Sequence, residues 1–562
     1  MKKAVVKVLK KALKEKGIDM KGIEIENLLE IPPNPELGDY SFPCFSLAGK
    51  LKDNPSQIAI ELRGKIGDAP ATDFEDVQTK GPYLNFFMNR KSLARQVVWD
   101  AILKKKDYGQ SKIGKGKKVV VEFSSPNIAR SFGIGHLRST IIGNSLANIF
   151  EFQGYKVIRI NYLGDWGTQF GRLILGYKKF GNEKKLEKDP IKHLMEIYVK
   201  VNKKQYEKGA RKEFKKLEEG DRKSLMLWKL FKGMSLEEFE KIYKLFGIKF
   251  DSIEGESHYN KKTEKIVEEL KEKGLLKKSK GAQIVNLKKY GLDISLIKKS
   301  DGATLYATRD LAAAVSRYKK HKFEKMIYEV GQEQRLYFKQ LFKILELIGY
   351  DWAKNCEHVY HGHYLDKDGK RFRTRKGKTV FMGDILNETI AMAEKEIKKR
   401  EPKISKKQLK ERAIKIAIAA IFYGDLKNNH RNNIIFNIKK FVSFEGNTGP
   451  YILYSYARAS SIMKKAPEQK KFKVYDLEPK ETELVKKLSQ FPEVILNAYR
   501  SLNPSIIANY SYQLAQIFNE FYHTCKVIGS EQEAFRLALV QSFRQVLKNS
   551  LELLGIRTVE EM

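Results

Sequence analysis

The sequence predicts an α/β protein: a parallel sheet wound with helices, preceded by a smaller α+β unit and followed by an all-helical region. In the middle of the chain, short apolar strand patterns alternate with helical patterns, which is typical of a parallel sheet. After about residue 384 the strand patterns vanish and helical periodicity dominates. The 562 residues also exceed what one hydrophobic core organises. We expect domains at 1–103, 104–383 and 384–562.

The first domain begins with a helix, since apolar residues recur at helical spacing in "MKKAVVKVLKKALKEKGIDM". The loop "IPPNPELGDYSFPCF" precedes a second helix from about 55, and the strand pattern "YLNFFMN" covers 83–89. A third helix follows from about 91. The lysine- and glycine-rich run at 104–118 is typical of a linker.

The second domain alternates strands and helices. The strand "KVVVEF" (118–123) leads into a helix and then into the strand "KVIRINY" (156–162). A highly charged stretch from about 178 to 275 interrupts the alternation with helical periodicity, so we predict a helical insertion there. The alternation resumes with "MIYEVG" (326–331) and "HVYHGHY" (358–364).

Positive charge is the strongest compositional feature. Lysine and arginine number 107 against 68 aspartates and glutamates, which gives a formal net charge of +39 at pH 7. Such a field favours a polyanionic partner through counterion release from phosphates. A lysine-rich surface that simply faces water has the same composition, and charge alone does not separate these two interpretations.

The chain has the marks of a cytoplasmic protein. Hydrophobic residues make up 42% of it, and no run approaches the roughly 18 apolar residues of a membrane helix. Cys44, Cys356 and Cys525 are far apart and form neither a metal-binding spacing nor a disulfide framework. The N-terminus has neither a secretory signal nor a transit-peptide pattern. We therefore expect no membrane association and no metal site made by protein side chains alone.

A glycine–histidine turn opens the helix that follows the first strand of the second domain. In "NIARSFGIGHLRST" (127–140), Gly133 and Gly135 allow close backbone approach, and the helix N-terminus offers unpaired amides. His136 adds a donor suited to charge on a phosphate oxygen. This pattern indicates a phosphate site. The alternative is a buried histidine in a glycine turn, which is the better interpretation of these four residues taken alone.

Longer sequence resemblances along the chain favour the phosphate site over the buried histidine. The turn resembles the HIGH motif of class I aminoacyl-tRNA synthetases, and the run "SSPNIARSFGIGHLRSTIIGNSLANIFEFQGYKVIRINYLGDWGTQFG" is similar to the arginyl-tRNA synthetase family. Further stretches resemble that family in the right order: "PPNPELGDYSFPCF", "DGATLYATRDLAAA", "VGQEQRLYFKQLFKIL", "GNTGPYILYSYARA" and "LELLGIRTVEEM". The sequence is identified as a member of this family.

The resemblance implies a Rossmann-type catalytic domain, an N-terminal domain that binds the D-arm of tRNA, and an all-α anticodon-binding bundle. It implies an arginine–tRNA ligase that uses ATP, with Mg²⁺ on its phosphates, to convert L-arginine to arginyl-adenylate. The arginyl group then passes to the 3′ end of tRNA(Arg). In this family arginine activation generally requires bound tRNA, and a monomer is expected.

The resemblance also implies the residues of the ATP site. Gly133, Gly135 and His136 would contact ATP, and the loop "TRKGK", which replaces the family's KMSKS motif, would hold the phosphates. The catalytic side chains implied are His136, Arg130, Arg375, Lys376 and Lys378, of which Arg375 and Lys376 also bind ATP. The chain departs from the family at Gly133, usually a histidine, and at Arg130, commonly a lysine. A solvated basic turn is the alternative for the lysine-rich loop.

A pocket for free arginine requires carboxylates, because a planar guanidinium pairs with a carboxylate through two parallel hydrogen bonds. Glu256 in "EGESHY" and Asp310 in "YATRD" match the family's guanidinium-binding acids. Tyr306 precedes Asp310 by four residues, so both side chains can face one pocket. The resemblance assigns the other arginine contacts to Tyr306, Gln334 and Asn127, the last at the α-amino end. Without it, Glu256 would be interpreted as a surface acid.

Two regions resemble the tRNA-binding surfaces of the family. Asn85, Phe86 and Phe87 correspond to the D-arm region, where aromatic rings on a sheet suit base stacking. One of the two phenylalanines is expected to face the core instead. On the anticodon side the resemblance implies contacts from Tyr451, Tyr454, Arg458 and Met562. Tyr454 and Arg458 are four residues apart and share a helix face.

A function of a different class is that of a synthetase-like tRNA-binding protein with impaired catalysis. Gly133 and Arg130 motivate this alternative, whereas the complete set of arginine-binding residues opposes it. Another class I synthetase would lack the pair of Glu256 and Asp310, and a cysteinyl enzyme would carry zinc-binding cysteines. A protein that arginylates other proteins would have no use for the C-terminal match to a tRNA-binding domain. Arginine–tRNA ligase is therefore the function that we expect.

Overall fold

The computed structural model of the chain describes residues 2–32, 34–67, 73–130, 132–300, 305–371, 381–466 and 471–562. The chain divides into two units. The first comprises Met1–Tyr108, Ser461–Phe491 and Gln516–Val546, and the second comprises Gly109–Ser460, Pro492–Ala515 and Leu547–Met562. Arg375, Lys376 and Lys378, which are predicted to bind phosphate, lie outside the described residues.

The first unit contains the strands β1 (Tyr40–Pro43), β2 (Phe74–Lys80) and β3 (Tyr83–Met88), which pair antiparallel in the order β1-β3-β2. Its helices up to residue 108 are α1 (Lys2–Glu15), α2 (Gly22–Leu28), α3 (Phe45–Leu51), α4 (Pro55–Ile66) and α5 (Arg90–Lys104). One core joins sheet and helices, since Leu9 of α1, Leu62 of α4 and Phe86 of β3 are all fully buried in it. Each such side chain contributes about 1.5–3 kcal/mol to stability.

Local sequence sets where two of these helices begin. Asn54 accepts a hydrogen bond from the Ser56 amide at 2.9 Å and precedes Pro55 at the first position of α4. Asn89 accepts from the Ser92 amide at 2.9 Å and caps α5. Asparagine is a strong N-cap and proline suits the first helical turn. The α+β character predicted for the N-terminal part is confirmed.

The second unit contains the strands β4 (Lys118–Glu122), β5 (Lys156–Leu163), β6 (Ser252–Gly255), β10 (Lys325–Gly331) and β11 (Cys356–His361). They form one parallel sheet in the order β11-β10-β4-β5-β6. Val119, Val120 and Val121 are fully buried, as expected for a central strand of a parallel sheet. The strand order reverses between β4 and β10, and in such sheets ligands bind beyond the carboxyl ends of the strands at that point. The predicted parallel α/β fold is confirmed.

Helices follow most of these strands. The helix α6 (Ile134–Phe152) packs against β4, β5 and β10 and is buried on most of its surface. Between β5 and the C-terminal region lie α7 (Thr168–Phe180), α8 (Glu183–Lys188), α9 (Pro190–Val201), α10 (Glu207–Glu218), α11 (Arg222–Phe246), α12 (Glu256–Tyr259), α13 (Thr263–Glu272), α14 (Tyr306–His321) and α15 (Arg335–Ile348).

The C-terminal region is helical, as predicted. Its helices are α16 (Met382–Arg400), α17 (Lys406–Leu426), α18 (Ile438–Phe441), α19 (Gly449–Lys465), α20 (Pro479–Ser489), α21 (Phe491–Ser501), α22 (Ser505–Thr524) and α23 (Glu533–Leu553). Of these, α19, α21, α22 and α23 contribute residues to both units. Among the described residues, no helix is both long and apolar enough to span a bilayer.

The structure differs from the prediction in three places. The stretch from 178 to 275, predicted to be helical, contains β6, which joins the main sheet as an edge strand. A small antiparallel sheet follows, formed by β7 (Leu276–Ser279), β8 (Ala282–Asn286) and β9 (Ile294–Lys298). The helical region also contains β13 (Ile434–Ile435), which pairs with β12 (Tyr364–Leu365). These strands are short, and segments such as "SIEG" and "LKKS" lack apolar runs, so pairing partners rather than local pattern decide their structure.

Candidate active site

The segments that leave the carboxyl ends of β4, β5 and β6 converge on one crevice. After β4 the chain reaches Asn127, which forms a bridge with Gly164 just beyond β5. A Cβ atom at Gly164 would lie 2.0 Å from Asn127 Oδ1, so only glycine leaves room for the amide. β6 ends directly before Glu256. The strand ends thus hold Asn127 and Glu256 at the edge where the topology predicts a ligand.

Asp165 anchors the short helix that carries Glu256. Its buried carboxylate accepts hydrogen bonds from the Ser257 amide at 2.8 Å and the Ser257 hydroxyl at 2.7 Å, and it pairs with Lys232 Nζ at 2.6 Å. A Cβ atom at Gly255 would lie 2.2 Å from this carboxylate. The turn after β5 therefore fixes the start of α12, and with it the position of Glu256.

His136 lies on the first turn of α6. The Gly133 amide donates to His136 Nδ1 at 3.3 Å, and the His136 amide donates to the Gly133 carbonyl at 3.0 Å. A backbone amide can only donate, so Nδ1 carries no proton and the neutral ring is protonated at Nε2. Burial, reinforced by the charge of Arg130, lowers the pKa of His136 to about 4. At neutral pH His136 is therefore an uncharged donor through Nε2.

The other residues predicted at this turn differ in their placement. Gly135 is exposed, and outside its own helix turn no atom of the described residues lies within 4 Å of where its Cβ would be, so a ligand can approach the backbone. Gly133 is buried and forms a bridge with Phe381. Arg130 is exposed and turns toward α9, where it donates to Tyr198 Oη at 3.5 Å. The structure brings Gly133, Gly135 and His136 together, whereas Arg130 acts on His136 through its charge.

A cleft of about 1160 Å³ opens beside the strand ends. Asn127, Glu256 and Tyr306, three of the five residues predicted to bind arginine, line it together with Arg309. Tyr306 is 53% exposed, so its ring is available to a ligand. Gln334, in contrast, is an exposed residue at the start of α15 and is not part of the cleft wall.

Glu256 is paired with an arginine of the chain itself. Both Nε and Nη2 of Arg309 contact Glu256 Oε2, at 2.9 and 2.7 Å. The Glu256 side chain is 19% exposed. Burial raises the pKa of Glu256 to about 7, and the charge of Arg309 opposes that rise. Glu256 is predicted to bind the substrate guanidinium. In the structure one of its two oxygens is already paired with the guanidinium of Arg309.

Asp310, the next residue along α14, is held by two tyrosines. Tyr162 of β5 donates to Asp310 Oδ1 at 2.9 Å, and Tyr337 of α15 donates to Oδ2. Tyr306 packs against Tyr337 with ring centres 5.2 Å apart. Burial raises the pKa of Asp310, while the hydrogen bonds from Tyr337 and Tyr162 oppose the rise. The structure thus links Tyr306 and Asp310 through Tyr337.

Sequence reasoning does not find Arg309, Tyr162 or Tyr337. Arg309 adjoins Asp310 in "YATRD", and Tyr162 stands just before the glycine turn after β5, so both had a local signal. Tyr337 has none, because its contact with Asp310 depends on how two helices pack.

The predicted tRNA-binding residues near residue 86 are mostly buried. Phe86 is fully buried in the core and Asn85 is 4% exposed, its Oδ1 accepting a hydrogen bond from the Ser41 hydroxyl. Phe87 is half-buried. Phe86 is the phenylalanine that faces the core, as expected for one of the two, and contact of this strand with RNA stays a prediction. Strand alternation places Phe86 on the core side of the sheet together with Leu84 and Met88.

The predicted anticodon-side residues lie on α19, apart from the half-buried Met562. Arg458 Nη2 donates to Tyr454 Oη at 3.5 Å, and Tyr451 packs on Tyr512 with ring centres 5.6 Å apart. Tyr454 lines a second cleft of about 620 Å³. Its other walls include the basic residues Lys395, Lys399, Arg400 and Lys439 and the ring of Phe444. A groove with cations and aromatic rings suits single-stranded nucleic acid.

The pH dependence of arginine use is expected to follow Glu256. As the pH falls through about 7, Glu256 takes up a proton and leaves the charge of Arg309 unbalanced beside the cleft. Binding of a substrate guanidinium then weakens, so kcat/KM for arginine should fall about tenfold per pH unit below that point. The measurement is a profile of kcat/KM from pH 5.5 to 8.5. The Glu256→Gln variant should have a low kcat/KM for arginine at every pH in this range, with no fall in kcat/KM near pH 7.

Glu254→Gln is the matched control for that profile. Glu254 stands two residues before Glu256, and its pKa is lowered to about 2, chiefly by the hydrogen bond from Tyr259 against the effect of burial. Glu254 therefore stays ionised across the measured range, and its variant should keep the step near pH 7. A step of unchanged size in Glu256→Gln would contradict the prediction.

A helix that starts with a glycine–histidine turn at the reversal point of a parallel sheet, beside a large cleft, is the arrangement of a class I aminoacyl-tRNA synthetase. The model of the tRNA synthetases class I (R) catalytic domain matches residues 98–438. The models of the arginyl tRNA synthetase N terminal domain and the DALR anticodon binding domain match residues 1–88 and 452–562. The chain belongs to the arginyl-tRNA synthetase family.

Relatives match over the whole chain. The arginine–tRNA ligase of Clostridium perfringens (strain 13 / Type A) is 46% identical, covering 99% of each chain. That of Clostridium botulinum (strain 657 / Type Ba4) is 47% identical, covering 96% of each. Among solved structures, the arginyl-tRNA synthetase of Thermus thermophilus has the same fold, with a TM-score of 0.84 at 24% identity and complete coverage of both chains.

Proposed function

We propose that the chain is an arginine–tRNA ligase whose cleft binds L-arginine and whose α6 turn binds the phosphates of ATP. One observation supports this above all: the half-buried carboxylate of Asp310, the residue that follows the cleft-lining Arg309, forms no salt bridge among the described residues. A substrate guanidinium would supply the missing positive charge. The family membership and the names of the relatives agree with this activity.

In the first step, an oxygen of the arginine carboxylate attacks the α-phosphorus of ATP, and the bond from this phosphorus to pyrophosphate breaks. The products are arginyl-adenylate and pyrophosphate. His136 donates from Nε2–H to an α-phosphate oxygen, and the N-terminal amides of α6 add further donors. No side chain needs to act as a nucleophile, because positioning and charge stabilisation carry the reaction.

The triphosphate needs more positive charge than the α6 turn supplies. Arg375, Lys376 and Lys378, which lie outside the described residues, are proposed to hold the phosphates, with Arg130 nearby. Mg²⁺ would arrive on ATP and neutralise phosphate charge. We propose that the phosphates of the nucleotide carry the Mg²⁺. Gly133 supplies no side chain, which leaves His136 as the donor of this turn.

In the second step, a hydroxyl of the 3′-terminal ribose of tRNA(Arg) attacks the arginyl carbonyl carbon and AMP leaves. We propose that α19 and the basic cleft beside Tyr454 contact the anticodon side of the tRNA, and that Phe87 contacts the D-arm. The net charge of +39 supports an RNA partner. We propose the boundaries 1–103, 104–383 and 384–562 for D-arm-binding, catalytic and anticodon-binding domains, and a monomer in the cytoplasm.

The deciding experiment is charging of total tRNA with labelled L-arginine in the presence of ATP and Mg²⁺, with and without tRNA for the pyrophosphate-exchange step. The wild-type chain is expected to charge arginine, and a Gly133→His variant shows whether the missing histidine limits the rate. Binding of tRNA without charging by either form would support the catalytically impaired protein instead. Activity in the histidine variant alone would identify Gly133 as the defect.

Tyr454→Ala tests the proposed anticodon side. Loss of one base-stacking ring costs about 1–3 kcal/mol, so KM for tRNA should rise about 5- to 150-fold while kcat at saturating tRNA stays within about twofold. Tyr290→Ala is the control, because Tyr290 is an exposed tyrosine of the second unit that does not line the basic cleft, whereas Tyr454 is half-buried in its wall. Equal KM values for tRNA in both variants would argue against this surface.

A further inference from the structure

We infer that Tyr162 and Tyr337 are positioning residues that make the pocket select a guanidinium over an ammonium. The inference rests on the proposed function, since it concerns how that pocket recognises its amino acid. Asp310 receives one phenol hydroxyl on each carboxylate oxygen, from a strand and a helix on either side of α14. The two tyrosines act through Asp310, by fixing the plane of its carboxylate.

The geometry leaves one acceptor direction free on each oxygen. An ionised carboxylate offers about four lone-pair sites, two on each oxygen. Tyr162 uses one site on Oδ1 at 2.9 Å, and Tyr337 uses one on Oδ2. Two sites remain, one on each oxygen, which is the number that the parallel N–H pair of a planar guanidinium uses. An ammonium donates from a single nitrogen and leaves one of these two sites without a donor.

Both phenols are held in place and keep their protons. The guanidinium of Arg317 lies 4.8 Å from the ring centre of Tyr162 and is itself paired with the buried Glu122. The ring of Tyr337 packs against that of Tyr306 at 5.2 Å. Burial raises the pKa of Tyr162 and of Tyr337 well above the ordinary value, so each hydroxyl remains a donor at neutral pH.

Glu256, the other acid proposed to bind arginine, cannot replace Asp310 in binding the substrate guanidinium. Glu256 Oε2 already receives two contacts from Arg309, so a second guanidinium meets a carboxylate whose charge is largely balanced. Recognition therefore depends mainly on Asp310. If the Asp310 carboxylate is less firmly oriented, it should bind the substrate guanidinium more weakly.

The test removes the Tyr337 hydroxyl alone, in Tyr337→Phe. Its matched control is Tyr328→Phe, because Tyr328 is a buried tyrosine of β10 whose hydroxyl has no partner among the described residues. KM and kcat for arginine are measured by pyrophosphate exchange with the full chain, tRNA, ATP and Mg²⁺. The inhibition constant of L-lysine is measured in the same assay.

Tyr337→Phe should raise KM for arginine about tenfold, the effect of losing one hydrogen bond, with kcat within about twofold. The inhibition constant of lysine should stay constant, since an ammonium uses only one oxygen. The ratio of the lysine inhibition constant to KM for arginine should then fall about tenfold. Tyr328→Phe should keep wild-type values. Tyr162→Phe is a second variant with the same expected rise in KM, in case Tyr337→Phe does not fold.

Unchanged KM in both positioning variants would overturn the inference and leave the arginine activity standing. So would an equal rise in Tyr328→Phe, or a parallel rise in the lysine constant, because either would indicate general loosening of the fold. A wild-type chain that does not activate arginine would instead overturn the proposed function, and the inference with it.

Discussion

Asp310→Asn is expected to lower kcat/KM for L-arginine by roughly 10²- to 10⁴-fold. The amide keeps the shape of the carboxylate but removes its charge, so the substrate guanidinium would be buried without a counter-charge. Removal of one partner of such a pair costs about 3–5 kcal/mol. The hydroxyls of Tyr162 and Tyr337 would also face an amide that can accept on one side only. Pyrophosphate exchange with saturating tRNA and varied arginine measures the loss.

Asp351→Asn is the control for that change. Asp351 is an exposed acid of the second unit, and the same loss of charge there should leave kcat/KM within about twofold. Thermal unfolding of the two variants separates loss of binding from loss of fold. A value for Asp310→Asn within tenfold of the wild type, with the fold intact, would remove Asp310 from the recognition site.

His136→Ala is expected to lower kcat by about 10²- to 10³-fold, the cost of removing one donor to a developing oxyanion. KM for arginine should change little, because the side chain donates to the nucleotide rather than to the amino acid. The expected effect is large because Gly133, at the other end of the turn, brings no side chain of its own. Single-turnover formation of arginyl-adenylate measures the step directly.

His523→Ala provides the comparison for His136→Ala, since His523 is an exposed histidine of the first unit. Because the pKa of His136 is lowered to about 4, its loss should not remove any step between pH 6 and 8 from the kcat profile. A kcat for His136→Ala within fivefold of wild type would show that the chemistry relies on donors other than this ring.

The sequence predicts the parts of the fold whose signals are local. β4, its glycine turn and α6 appear as an apolar run, a Gly-x-Gly pattern and helical periodicity, and the structure has all three in that order. β6 and the small sheet of β7 to β9 have no such signal, because a short strand with few apolar residues is defined by its partner. The burial of Phe86 was only half predictable: the strand pattern says that one of two neighbours faces inward, and packing decides which.

In the candidate site, too, some residues have a local sequence signal and others do not. Motif positions indicate Asn127, His136, Glu256 and Asp310, and the structure places them around the carboxyl ends of the strands. Their partners come from distant parts of the chain, and no spacing rule connects Tyr337 with Asp310 or explains why Arg309 turns toward Glu256. Sequence reasoning therefore proposes Glu256 and Asp310 as the guanidinium-binding acids but does not find the side chains that pair with them.

Arg309 competes with a substrate guanidinium for the carboxylate of Glu256. Because its guanidinium is tethered to the fold beside Glu256, its effective concentration there is about millimolar or higher. Free arginine at lower concentrations gains little by displacing it. Molecules designed to block the cleft should therefore avoid Glu256 and bind Asp310, which forms no salt bridge with any described side chain. The same reasoning predicts that a neutral side chain is a poor starting point for an inhibitor, since Asp310 would stay half-buried and unbalanced.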